Sequence, residues 1–200
     1  ATHFQGFLNW SSDLYPFGMK QVPWKNGKGD LVEQFINSCH KYGLLPGLYM
    51  STHCNFYHQV DNFRVNWGKG GSGQAAYNAL CVKMAEELCS RYGKLFELWF
   101  DAGNLTPAEG GPDVLPVVDK YQPGAIYYKS NQRRDHRWCG KSDQGLAGDP
   151  CWSRTTGPDY SLINDPALLD NMLFHGAENG TYWSPSFSGC ALRAGPCLRC

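Results

Sequence analysis

The sequence predicts an α/β domain built on a parallel sheet. Three observations predict it: strand-like and helix-like stretches alternate along the chain, the strand-like runs are apolar, and one of them ends abruptly in a carboxylate. That run is Leu95-Phe96-Glu97-Leu98-Trp99-Phe100-Asp101-Ala102-Gly103, followed by a Gly/Pro-rich loop. In parallel α/β barrels catalytic side chains stand where strands end and loops to the next helix begin. Asp101 therefore has two readings, a pocket-facing acid or a cap for the following turn.

The elements follow in chain order. Strands are expected at Gly6–Trp10, Leu44–Ser51, Leu95–Asp101 and Ala125–Ser130. Asp30 with Glu33 three residues on is a capping-box arrangement that starts a helix. Leu31, Phe35, Cys39 and Tyr42 repeat at helical spacing as its apolar face, and Gly43 stops it. A second helix is expected from Tyr77 to Tyr92 with Gly93 as terminator, then shorter ones at Asp113–Tyr121 and Pro166–Phe174. The glycine-rich Gly68–Gly73 stretch lacks the G-x-x-x-x-G-K-[ST] spacing of a phosphate loop and is expected to be a barrel-type loop.

Two hundred residues can bury a sizeable core, so residues 1–200 are expected to form a single domain. Eighteen basic and 18 acidic residues balance, which excludes an electrostatic footprint for nucleic acid. No apolar run reaches the length of a membrane span, and Ala1–Trp10 is not a signal peptide. Nine cysteines favour an oxidising compartment. Cys81 and Cys89 lie eight apart on one expected helix, roughly 12 Å at 1.5 Å per residue, too far to pair. With Leu80, Met84, Ala85 and Leu88 they are expected to form an apolar face, as is Cys39 on the preceding helix. Cys139, Cys151, Cys190, Cys197 and Cys200 are the better disulfide candidates. Cys197-Leu198-Arg199-Cys200 is a CxxC without a second ligand pair, so neither a metal nor a cofactor is expected. Sequons at Asn9, Asn104 and Asn179 fit a secreted or lysosome-like location.

Five segments in order resemble the α-L-fucosidases of glycoside hydrolase family 29. ATHFQGFLNW (1–10) is similar to the family's AKHHDGFCLW, and DLVEQFINSCHKYGLLPGLYMS (30–51) to its helix and GLYxS strand. The 95–103 run resembles the nucleophile motif ELWFDG. RWCGKSDQGLAGDPCWS (137–153) resembles RWVGNExGLAGxxCWS of the plant and bacterial subgroup, and WSPSFSGCALRAG (183–195) resembles WxPAECDxxxRxG. The resemblance implies a (β/α)8 TIM-barrel-type domain that removes α-linked L-fucose from glycans with retention.

Retention requires two carboxyl groups about 5–5.5 Å apart. The resemblance places the nucleophile on Asp101. The acid/base position falls on Ser142 counting from Trp138 and on Asp143 counting back from Gly145; only Asp143 can serve, with Glu178 next in line. The substrate-binding positions implied are His3, Trp10, Trp138, Trp183 and Arg193, with barrel wall as the other reading of Trp10. The subgroup's SPWDR reads Ser51-Thr52-His53-Cys54-Asn55 here, so only Ser51 matches, and His53 has two readings, a replacement for a lost donor or an incidental loop histidine. The chain departs from the family at Phe4 and Gln5, which replace the second His and the Asp of HHD, and at Phe187, which replaces a Glu. These losses support a second expectation, a catalytically inactive fucosidase-like module with a glycan-binding or structural role in an extracellular assembly. A complete barrel takes about 250 residues, so this one is expected to be incomplete, its first βα unit absent. Another chain or further sequence is expected to complete it.

Overall fold

The computed structural model describes residues 1–130, Gln132, Arg133, Asp135 and the two-residue strands Thr155–Thr156 and Ser161–Leu162. The chain divides into two compact units, Ala1–His136 and Arg137–Cys200. In the second, the described residues are the two short strands, which pair antiparallel. The first holds a three-stranded sheet of β1 (Gly47–Ser51), β2 (Glu97–Asn104) and β3 (Ile126–Ser130), in sequential order and parallel throughout. Helix α1 (Leu31–Lys41) precedes β1, α2 (Gln74–Arg91) joins β1 to β2, and α3 (Leu115–Tyr121) joins β2 to β3. This is the βαβ alternation expected; among the described residues the sheet holds three strands.

Alternation along the strands sorts side chains onto two faces. Leu48 and Met50 of β1, Leu98 and Phe100 of β2, and Tyr127 of β3 enter one core. Val32 and Ile36 of α1, Tyr77, Cys81, Met84 and Leu88 of α2, and Val118 of α3 complete it. Full burial of a side chain such as Phe100 contributes about 1.5–3 kcal/mol. The opposite face carries Tyr49, Glu97, Trp99 and Asp101, all half-buried.

The local signals account for the element ends. The Asp30 carboxylate accepts the Glu33 N–H at 2.8 Å and so caps α1, and its other oxygen accepts the Tyr92 hydroxyl at 2.7 Å. Gly43 and Gly93 follow α1 and α2 with φ of +68° and +74°, the left-handed conformation that ends a helix. Cys81 and Cys89 are buried and free within the α2 core face, as are Cys39 on α1 and Cys54 after β1.

Two expectations are corrected. Gly6–Trp10 is not a strand. Gly6 has φ +86°, and a Cβ there would collide with the Asn55 side-chain amide. Ladder pairing reduces to a single Leu8–Gly18 bridge, while the Asn9 N–H turns back onto the Ala1 carbonyl. On α1 the core takes Val32, Ile36 and Cys39, and Leu31, Phe35 and Tyr42 are exposed. Both stripes have helical spacing, and the packing of the helix against the sheet selects between them.

Gln122 ties the unit together beneath the sheet. It is buried; its Nε2 donates to the carbonyls of Cys89 and Gly93 at 2.6 and 2.8 Å, and its Oε1 accepts the Leu95 N–H at 2.9 Å. One side chain thus satisfies three main-chain groups where α2 ends and β2 begins.

His58, in the one-turn helix after β1, has its Nε2 buried without a hydrogen-bond partner, and burial pushes its pKa below the ordinary 6.5. The fold accepts the neutral ring, so the unfolded chain takes the proton first. Stability linked to neutral His58 is present above pH 6.5 and is lost as pH falls through the lowered folded value. Urea unfolding between pH 7.5 and 5 should show wild type losing more stability than His58→Gln; equal losses would contradict this.

Candidate functional site

Register builds the site. Ser51 pairs with Asp101 and Tyr49 with Trp99, so Tyr49 and Asp101 stand on the same face of adjacent parallel strands near their C-terminal ends. The Tyr49 hydroxyl donates to Asp101 Oδ2 at 2.6 Å, and Oδ1 accepts the N–H of Ala102 at 2.9 Å. Burial, and next the Asp101 carboxylate, push the Tyr49 phenol far above its ordinary pKa of 10, so it remains a donor. Ala102 has φ +59°, an uncommon conformation for a residue with a Cβ, directly after the acid. The motif it resembles has Gly at this position.

The N-terminal segment brings His3 over this pair. Its ring stacks on Tyr49 at 5.6 Å and on Phe4 at 4.4 Å, and Nδ1 is hydrogen-bonded with Gln5 Oε1 at 3.1 Å. His53 sits in the turn after β1, where Ser51 Oγ accepts the N–H groups of His53 and Cys54. Its ring lies 5.7 Å from Phe4, and its Nδ1 is 3.0 Å from Cys54 Sγ. Cys54 is buried against Asp61, and desolvation raises its thiol pKa to about 11, so it is protonated at neutral pH. Among the described residues no cluster of His, Cys, Asp or Glu is arranged to hold a metal ion. No helix among them is long and apolar enough to cross a membrane.

Asp101, Tyr49, His3, Phe4 and His53 are thus brought together. Sequence reasoning had Asp101, His3 and His53 but missed Tyr49. The signal was available in Gly47-Leu48-Tyr49-Met50-Ser51, because a parallel neighbour in register with β2 sets Tyr49 on the face of Asp101.

Trp10 corrects the expected sugar-binding set. It is 0% exposed in the core, and its indole N–H donates to Glu87 Oε2 at 2.7 Å, which leaves no ring face for a sugar. Asp143, Trp138, Trp183, Arg193, Asn179, Glu178, the 166–174 helix and the five loop cysteines lie outside the described residues.

The Asn104 sequon is also corrected. Asn104 is 7% exposed, and its Nδ2 donates to the carbonyls of Leu105 and Pro112 at 3.0 and 3.3 Å while Oδ1 accepts the Thr52 hydroxyl. Glycosylation replaces one of the two amide hydrogens, both of which are engaged here. Asn9 is half-buried and uses one amide hydrogen, toward the Ala1 carbonyl at 2.8 Å. Expression in a glycosylating host should give an unmodified Asn104 peptide by mass spectrometry; a glycan on Asn104 in the folded protein would refute this.

The chain and its fold have counterparts in known proteins. A family model described as alpha-L-fucosidase matches residues 1–146. Alpha-L-fucosidase 1 of Arabidopsis thaliana is 30% identical over 181 residues, covering 82% of this chain and 33% of its own length. Among solved structures, a candidate alpha-L-fucosidase from Bacteroides thetaiotaomicron superposes with TM-score 0.70 at 43% identity, over 92% of this chain and 42% of that one. A glycoside hydrolase 29 family member from an unknown rumen bacterium gives TM-score 0.55 at 27% identity, over 90% and 32% of the two chains. The chain spans about a third of the length of the curated relatives it matches.

Proposed function

The chain belongs to the alpha-L-fucosidase family, and from that premise we propose that the polypeptide it comes from is a retaining α-L-fucosidase acting on fucosylated glycans. The single observation that carries this reading is Asp101 at the C-terminal end of β2, half-buried and held by the Tyr49 hydroxyl at 2.6 Å. That is where parallel α/β barrels place their chemistry, and a (β/α)8 barrel is the architecture we infer for the complete domain. Sequons at Asn9 and Asn179 support a secreted or lysosome-like location.

The roles follow from retention. The Asp101 carboxylate forms a bond to the anomeric carbon as the bond to the leaving oxygen breaks, and Asp143 supplies the proton to that oxygen. Asp143, now ionised, takes a proton from water as the water oxygen cleaves the glycosyl ester and frees Asp101. Tyr49 holds the nucleophile's orientation from Oδ2. His3 keeps Nε2 for a sugar hydroxyl while Gln5 engages Nδ1. His53 is the adjoining polar group on the β1 side. Trp138, Trp183 and Arg193 complete the proposed sugar contacts.

One observation favours a second reading. Phe4 stands where the family has a second His, and its ring lies against His3; this suits a non-catalytic, glycan-binding module as well as an altered enzyme.

The readings separate on activity. The complete polypeptide should release nitrophenol from an aryl α-L-fucoside, and Asp101→Ala should lower the rate by about 10³-fold or more, since covalent catalysis has no path of similar barrier to replace it. Unchanged turnover in Asp101→Ala would end the proposal. Absence of turnover in wild type, with retained fucoside binding, would establish the second reading.

Asp143→Ala should preserve bond cleavage for α-L-fucosyl fluoride, whose leaving group needs no proton, and cripple natural glycosides. Azide should then accelerate turnover, because it attacks the glycosyl ester without base assistance. Equal loss on both substrates without an azide response would assign the role elsewhere.

A further inference from the structure

The loop from β1 to α2 is held in a constrained backbone form. Gln59, Asn62, Phe63, Asn66 and Trp67 all have positive φ, from 45° to 67°. This region is costly for any residue with a Cβ, and such strain persists only where the surroundings enforce it. They do so here. Arg64 donates to the carbonyls of Gly110 and Glu109 at 3.0 and 2.6 Å, which ties the loop to the segment after the Asp101 strand. Gln74 accepts the Val65 N–H at 3.1 Å, the Trp67 N–H reaches the Gln59 carbonyl at 2.8 Å, and Val60 and Val65 are buried beneath.

This anchored loop presents aromatic surface to solvent. Trp67 is 54% exposed and Phe56 is 45% exposed, with ring centroids 5.8 Å apart. Phe56 lies 6.5 Å from Phe4, Phe4 lies 4.4 Å from His3, and His3 lies 5.6 Å from Tyr49, which holds Asp101. The rings therefore form a continuous path from the candidate nucleophile outward to Trp67. Tyr57, equally exposed, differs: it packs on Tyr15 and Phe17 at 5.3 and 5.1 Å and belongs to the supporting cluster.

We propose that Phe56 and Trp67, reached from Asp101 through His3 and Phe4, form a stacking platform for the leaving-group saccharide of a fucosylated oligosaccharide. The platform rests on the assignment of Asp101 to a fucoside-cleaving site. Pyranoses have an apolar face of C–H groups carrying partial positive charge, and aromatic faces are apolar and carry the complementary negative quadrupole. The path starts at His3, which the proposed site gives to the fucosyl unit, and runs outward over Phe4 to Phe56 and Trp67; a terminal fucosyl unit carries further sugar only on its leaving-group side, so that saccharide is the one to extend over these rings. The Phe56 and Trp67 rings are tilted by 46° to each other, so they offer two differently inclined apolar faces. Phe4, where the family motif has a histidine, joins this apolar surface to the His3 site.

The test uses the complete polypeptide and two substrates that differ only in the leaving group: α-L-fucosyl fluoride, with no ring there, and a fucosylated lactose trisaccharide. Trp67→Asn removes the ring and suits the left-handed backbone; Phe56→Ala is the second variant. Each should raise KM for the trisaccharide about tenfold, equivalent to about 1.4 kcal/mol, and leave fluoride kinetics within about twofold, with Trp67→Phe recovering most of the loss. Loss in parallel on both substrates, or no change on either, overturns the platform. Lactose titrated into the Asp101→Ala protein should quench tryptophan fluorescence, and Trp67→Asn should abolish that quench. Absence of quenching in the parent overturns the platform, as it would if another polypeptide segment covers these rings. If wild type cleaves neither substrate yet lactose quenches through Trp67, the hydrolase reading fails and the platform stands.

Discussion

Everything at the candidate site depends on the parallel register of β1 against β2. Side chains alternate across a sheet with period two, so moving β1 by one residue would turn Tyr49 into the core and Leu48 onto the face of Asp101. The apolar set guards against this slip. Leu48 and Met50 enter the core beside Leu98 and Phe100, and exposing them would forfeit about 1.5–3 kcal/mol for each. Hydrophobic burial on one face thus fixes a hydrogen bond between a phenol and a carboxylate on the other.

The loops at both ends of the sheet are held by polar side chains, Asn104 and Gln122 buried and Arg64 half-buried. Asn104, at the end of β2, joins Thr52 after β1 to the carbonyls of Leu105 and Pro112. Arg64 links the β1–α2 loop to the segment after β2. Gln122 performs the same task at the opposite strand ends, where α2 turns into β2. Asn104 and Gln122 satisfy main-chain groups from buried positions, so removing either side chain costs more than its own contacts. A rigid frame suits the proposed role of Asp101, which requires a fixed separation from a second carboxyl group.

Two of the departures from the family motif lie beside His3. Phe4 and Gln5 occupy positions of a His and an Asp, yet the structure gives both a partner: Phe4 stacks on His3, and Gln5 takes its Nδ1. The apolar ring continues into Phe56 and Trp67. Lost hydrogen-bonding capacity beside His3 is thus accompanied by aromatic surface leading away from it.

The sequence by itself determined what depends on neighbours along the chain. The Asp30 cap, the glycine stops after α1 and α2, the apolar strand ending in Asp101, and the inability of Cys81 to reach Cys89 all follow from local geometry and spacing. Only the tertiary structure decided what depends on which segments meet. It chose Val32 and Ile36 over Leu31 and Phe35 as the core stripe of α1, because both stripes have the same period. It left Gly6–Trp10 outside the sheet, since Gly6 must pass close to Asn55, and it sank Trp10 into the core, its indole N–H on Glu87. It also buried the Asn104 sequon and set Tyr49 on Asp101. A residue's type limits the bonds it can form, but its partner is settled by strand register and loop closure, which join positions about 50 residues apart.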